Sequence, residues 1–264
     1  MSSRNYKTRD WLPYEKNHLL RHGFSLDNLE QYGTKPVEYI TGWAEFGPHQ
    51  FKVNRHTLIP RVETEQLVEL ICDDIKQRGC GDNQIKIADV GAGSGVIGIS
   101  ILLKLKALIS DWKITFIDIN PQALQTAKEN WQRLVVGGQE EIDRRKSCQA
   151  NFIRSDLLAS LSDSNQFDLI AANLPYVPTD RLDNLPASVR DHEPIAALAG
   201  GEDGLKYIDK LIAQAQSFLL PEGRLWLEVD HQADLNSYRK NDQYSCHIFR
   251  DRQGRQRFIK IVFE

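Results

Sequence analysis

Ile85-Lys86-Ile87-Ala88-Asp89-Val90 runs directly into Gly91-Ala92-Gly93-Ser94-Gly95, and this passage decides the fold. Apolar and β-branched side chains dominate its first part, as a strand covered on both faces requires. Glycines follow at 91, 93 and 95, before an apolar segment at 96–106 resumes with helical spacing. Glycine at a strand-to-helix turn lets the backbone take positive φ and approach a ligand, while the helix start presents free N–H groups. The pattern is G-x-G-x-G rather than the G-x-G-x-x-G dinucleotide form, and no P-loop lysine follows, so phosphate is not the obvious guest.

The same alternation continues downstream. Strands are expected at 113–117, 151–153, 167–172 and 223–229, an antiparallel one at 257–263, and helices at 121–135 and 204–219. This is the texture of a doubly wound α/β sheet with helices on both faces. Upstream, Trp11, Leu19, Leu20, Phe24, Leu26 and Leu29 suit one or two short amphipathic helices broken near Gly23, a small cap over residues 1–35. Aromatic and β-branched residues from Tyr39 to Leu58 surround Gly47-Pro48 and predict a hairpin that links cap to core within 36–60. A helix should begin near Glu63 or Thr64, either of which can satisfy free N–H groups, and the main domain occupies 61–264.

A chain of 264 residues can build one large core without disulfides or a structural metal. Cys72, Cys80, Cys148 and Cys246 lie far apart with no C-x-x-C pair, and the histidines show neither zinc-ligand spacing nor a paired nucleophile, so no metal is expected. A cytoplasmic monomer fits, as no apolar run has signal-peptide or membrane-spanning length. The net charge of −3 offers no general attraction for polyanions, which disfavours bare DNA or RNA as a partner. Arg144-Arg145-Lys146 and the basic residues at 250–260 are interleaved with acids and polar groups, as on a solvated face. Gly137-Gly138-Gln139 reads as a turn after a helix.

Asp89, two positions before the first glycine, suits a ligand carrying an α-ammonium group, directly or through water, and S-adenosyl-L-methionine carries one. Asp118, at the tip of the next strand, can accept both hydroxyls of a ribose; as an alternative it caps the helix beginning at Pro121. Asp156 can accept from an adenine amino group while Leu157 covers the ring, or it is a surface acid. The fourth core strand ends in Asn173-Leu174-Pro175-Tyr176, at the carboxyl edge where doubly wound sheets bind ligands. The Asn173 side-chain oxygen and the Leu174 carbonyl can each accept from one NH2 group, Tyr176 can stack on a planar amide or base, and Pro175 stiffens the turn. Such a clamp aims a weakly nucleophilic nitrogen at an electrophilic carbon, although the tetrapeptide can also be a simple strand-ending turn. Arg61, Glu63 and Glu193 are candidates to border the acceptor groove, and Trp43, Trp112, Trp131 and Trp226 are expected in packing.

These residues resemble the HemK/PrmC family, protein glutamine-N5 methyltransferases acting on the Gly-Gly-Gln glutamine of peptide-chain release factors. The resemblance rests on Pro36-Val37-Glu38-Tyr39-Ile40-Thr41-Gly42, Leu58-Ile59-Pro60-Arg61-Val62-Glu63-Thr64-Glu65, Asp89 to Gly95, Asn173 to Tyr176, Glu193-Pro194, and Leu198 to Leu205. It implies a seven-stranded Rossmann-like class I methyltransferase sheet, S-adenosyl-L-methionine as cofactor and S-adenosyl-L-homocysteine as product. The implied cofactor contacts are Gly91, Ala92, Gly93, Ser94, Gly95, Asp118, Leu157 and Asn173, and the acceptor site is Asn173 to Tyr176. Leu174 stands where the family usually has Pro, a form shared with ribosomal-RNA adenine dimethyltransferases, and Val62 replaces another family Pro. Fewer than forty residues precede Tyr39, where bacterial members usually carry a multi-helix recognition domain. A ribosomal protein, or an adenine or cytosine amino group of RNA or DNA, is the alternative acceptor, and a non-catalytic binding module the third possibility.

Overall fold

The structure is a computed structural model describing residues 9–78, 84–137, 147–162, 164–239 and 242–263. Cys80, Gly138, Gln139, Arg144-Arg145-Lys146 and most of the polar N-terminal stretch lie outside these residues. The cap contributes α1 (Pro13–Arg21), a 3-10 turn at Leu29–Tyr32 and α2 (Val37–Thr41), followed by the hairpin β1 (Trp43–Phe46) and β2 (His49–Lys52). The core then runs α3 (Val62–Arg78), β3 (Ile85–Val90), α4 (Val96–Leu105), β4 (Asp111–Asp118), α5 (Pro121–Trp131), β5 (Ser147–Arg154) and β6 (Phe167–Asn173). It continues through α6 (Ala187–Arg190), α7 (Lys206–Ala215), β7 (Leu219–Glu228), α8 (Asn236–Arg239), β8 (Tyr244–Arg250) and β9 (Gln256–Phe263).

The main sheet has seven strands in the order β5-β4-β3-β6-β7-β9-β8. Neighbours from β5 to β7 pair parallel, while β9 pairs antiparallel with both β7 and β8. Order reverses between β3 and β6, and the crevice above that switch point is where ligands of such sheets bind. Alternate residues of one strand face opposite sides. Ile87, Leu169, Ala171 and Trp226 accordingly join one buried cluster with residues of α3, α4 and α5, and Ala88, Ile170, Ala172 and Leu225 join another with α7.

Two departures from expectation have plain causes. Tyr39 and Ile40 lie in α2 rather than in the hairpin, because Pro36 opens a short helix that Gly42 ends at φ 82°. β8 carries polar residues on its outer face at the sheet edge, so no continuous apolar run announces it. Trp112 and Trp226 are core residues, while Trp43 lies on the hairpin beneath the Arg133 guanidinium. Among the described residues no helix is long and apolar enough to cross a membrane.

Helix α4 lies so close to the sheet that a Cβ on Gly98 would stand 2.9 Å from the Phe116 ring and 3.0 Å from Ile114. Gly98→Val is therefore expected to lower the unfolding free energy by about 1–3 kcal/mol, net of its better helix propensity, as measured by urea denaturation. An unchanged midpoint would show that helix and sheet can part freely.

Candidate active site

The carboxyl ends of β3, β4, β5 and β6 open on a cavity of about 240 Å³. Its floor is made by Gly91 to Ser94, Asp118 to Asn120, Ser155 to Leu157 and Asn173 to Pro175. The opposite wall comes from Pro60, Arg61 and Thr64 at the start of α3, and from Pro194, Ala196 and Ala197. Gly91 and Gly93 take φ of 70° and 55°, and a Cβ on Gly91 would reach 3.0 Å from the Leu174 side chain. The glycine loop and the Asn173 tetrapeptide therefore touch.

Asp118 lines the cavity and orders the glycine loop, and it does not cap α5. One carboxylate oxygen accepts the Gly93 N–H at 2.9 Å and the other the Asn120 N–H at 2.8 Å, while the carboxyl group lines the cavity. Capping of α5 falls to Asn120, whose side-chain oxygen accepts the Gln122 N–H at 2.9 Å. Burial raises the Asp118 pKa, and its N–H donors oppose the rise. Asp156 lines the cavity but is exposed and paired with Lys210 at 2.5 Å. Leu157 adopts φ 52°, a left-handed conformation costly for a leucine, and turns its nearly buried side chain to the cavity wall.

Three residues expected at the site stand outside the cavity lining. Asp89 is fully buried beneath the loop, where one oxygen accepts the Gly98 N–H at 2.8 Å, and it does not line the cavity. Desolvation pushes its pKa up to about 7, helped by the Asp118 charge and opposed by the Gly98 N–H. Its role in the structure is to tie α4 to β3. Gly95 is likewise outside the cavity wall; at φ 79° it lets α4 pass within contact of Ala127 on α5. Tyr176 does not present its ring to the cavity either. Its hydroxyl donates to Glu228 at 3.1 Å, and the Arg257 guanidinium sits 6.0 Å from the ring centroid. Gly200 and Gly204 pack tightly on its backbone, where a Cβ on Gly204 would overlap the Tyr176 carbonyl oxygen and one on Gly200 would be 2.7 Å from its Cα.

Asn173, Leu174 and Pro175 do line the cavity. The Asn173 amide nitrogen donates to the Thr64 hydroxyl at 2.9 Å, and Thr64 donates to the buried Glu228 carboxylate at 2.8 Å. Thr64 thus works as a bridge rather than as the helix cap the sequence suggested. Glu228 gave one faint signal, an acid ending an apolar strand, as Asp89 and Asp118 do. Arg61 borders the cavity and is held by Glu193 at 2.5 Å, whereas Glu63 turns to Arg255 at 3.5 Å.

A family model described as the methyltransferase small domain matches residues 68–184. The chain is 37% identical over 198 residues to a release factor glutamine methyltransferase of Lactococcus lactis, and the match spans 75% of this chain and 65% of that protein. A release factor glutamine methyltransferase of Deinococcus radiodurans is 31% identical over 237 residues, spanning 89% of this chain and 77% of that protein. The chain belongs to the release factor glutamine methyltransferase family. It spans just under two thirds of the length of several of these relatives, 65% and 63% in two cases. The fold is that of the N-terminal domain of human METTL16, with a TM-score of 0.55 at 12% identity, covering 100% of this chain and 98% of that one.

For this member of the glutamine methyltransferase family, the buried Asp89 makes stability depend on pH. Its folded pKa of about 7 lies above the ordinary aspartate value of 3.8, so its contribution is full below pH ~4 and is lost as pH rises through 7. Asp89→Asn is expected to flatten the fall in urea midpoint between pH 5 and 8.5. A slope equal to that of the unmodified protein would contradict the assignment.

Proposed function

We propose that the protein transfers a methyl group from S-adenosyl-L-methionine to the side-chain N5 of a glutamine in another protein, the Gly-Gly-Gln glutamine of a peptide-chain release factor. One observation carries this reading: Asn173 and Leu174 line the cavity beside the glycine loop, and the Asn173 side-chain nitrogen is engaged by Thr64, which leaves its oxygen free to accept from an acceptor nitrogen. The family membership and the methyltransferase small-domain match support it.

The residues present fit the cofactor. Asp118 has both oxygens fixed by N–H donors and keeps lone pairs for a ribose diol, Leu157 and Ile119 offer apolar cover for an adenine, and the glycine loop leaves room for the amino-acid part. When bound, S-adenosyl-L-methionine supplies an electrophilic methyl carbon on a sulfonium. The chain's own task is orientation. An amide nitrogen has its lone pair delocalised into the carbonyl, and the Asn173 oxygen and Leu174 carbonyl, each accepting one N–H, hold its face toward the cofactor pocket. Both acceptors also stabilise the positive charge that develops on the nitrogen. Pro60, Arg61 and Pro194 form the wall against which a protein loop would dock. The net charge of −3 favours a protein over a nucleic acid as acceptor, and a cytoplasmic site of action matches that substrate.

Incubation with labelled cofactor and a release factor should label the factor and leave its Gln-to-Ala variant unlabelled. Equal labelling of both, or of neither, removes that substrate. Asn173→Ala should leave cofactor affinity within a few-fold, by calorimetry, while turnover falls at least about a hundredfold. Retained turnover would remove Asn173 from the acceptor site.

A further inference from the structure

We propose that Glu228, acting through Thr64, is a positioning residue that fixes which way round the Asn173 amide faces. The proposal rests on the function proposed above for its catalytic consequence, though its structural content stands apart from any substrate. An asparagine amide has two orientations of nearly equal shape, one presenting oxygen to the cavity and the other presenting NH2. Only the first can accept from an acceptor nitrogen. The choice is made on the far side of the amide, where its sole described partner is the Thr64 hydroxyl at 2.9 Å.

That hydroxyl has one proton, and Glu228 takes it at 2.8 Å. The other oxygen of Glu228 takes the Tyr176 proton at 3.1 Å. An ionised carboxylate only accepts, so Thr64 has lone pairs and no proton to offer Asn173. The amide must then turn its NH2 to Thr64 and its oxygen to the cavity. One negative charge, 1% exposed, thereby sets the direction of every hydrogen in the chain from Tyr176 to Asn173. The fold brings the pieces together simply: Asn173 and Glu228 are register partners on β6 and β7, and Thr64 enters between them from the first turn of α3.

The charged and titratable groups around Glu228 come from each packed element. Glu63 on α3 disfavours its ionisation, and Arg257 on β9 and the hydroxyls of Thr64 and Tyr176 favour it. Desolvation outweighs them and pushes its pKa up to about 7. Below that value the carboxyl gains a proton. Placed toward Thr64, the proton frees the threonine hydroxyl to donate to Asn173, and the amide loses its reason to present oxygen.

The test reads the amide directly. The side-chain 15NH2 resonance of Asn173, assigned by its loss in Asn173→Ala, should titrate with a midpoint near pH 7 in the cofactor-free protein and stay flat in Glu228→Gln. Glu228→Gln and Thr64→Val should keep cofactor affinity within about threefold by calorimetry, whereas Thr64→Val should lose at least about tenfold in kcat. Thr64→Ser, which retains the hydroxyl, should recover kcat to within about threefold. The acid limb of the kcat profile should vanish in Glu228→Gln. An Asn173 resonance that does not titrate in the unmodified protein, or full turnover in a folded Thr64→Val, overturns the proposal. Titration of that resonance in a protein that methylates no glutamine upholds the amide's orientation and rejects the proposed substrate instead.

Discussion

Parallel pairing of β3, β4, β6 and β7 brings their carboxyl ends level, and everything at the site depends on that register. Val90 stands opposite Ile117 and Ala172, Ala172 opposite Leu227, and Asn173 opposite Glu228. Gly91, Asp118 and Asn173 therefore leave the sheet side by side. A slip of one residue would send every side chain of a strand to the other face, and here both faces are buried, one against α3, α4 and α5 and the other against α7. Packing on both sides thus fixes the register, and with it the distance between the glycine loop and the clamp.

Acids at strand ends do most of the ordering above that edge. Asp89 and Glu228 are almost fully withdrawn from water, at 0% and 1% exposure, and each has donors on at least one oxygen. A buried charge is tolerated only when it is hydrogen-bonded or can become neutral near working pH, and both groups meet that condition. Their value lies in direction. Asp89 holds the helix that follows the glycine loop, and Glu228 collects protons from two hydroxyls whose orientation reaches the cavity. Asp118, less buried, orders its own loop and still faces the space beside it.

The hairpin joins the core without sheet pairing, through Phe46 and Phe51 in the apolar cluster and through polar contacts. Asn130 on α5 imitates a strand neighbour for Lys52, accepting its N–H at 2.7 Å and donating to its carbonyl at 3.0 Å, and it donates to the Ser94 carbonyl at 2.9 Å as well. One buried amide thus joins the hairpin to the glycine loop. At the mouth, the Arg61–Glu193 pair ties the start of α3 to the segment after the clamp, and Glu193 also accepts the Ile59 N–H at 3.3 Å.

The sequence by itself determined the sheet, its glycine loop and the placement of Asp118, Leu157 and the Asn173 tetrapeptide, because buried strands, glycine turns and strand-end polar residues are written in local composition. It did not contain the fate of Asp89, Thr64, Tyr176 or Glu228. An acid before a glycine loop looks the same whether it faces a ligand or a helix backbone, and a threonine at a helix start looks like a cap. The tertiary structure decided these roles, since they turn on which donor from a distant segment arrives within hydrogen-bond reach. Thr64 and Glu228 are 164 residues apart in the chain, and only the packing of α3 across the ends of β6 and β7 makes them neighbours.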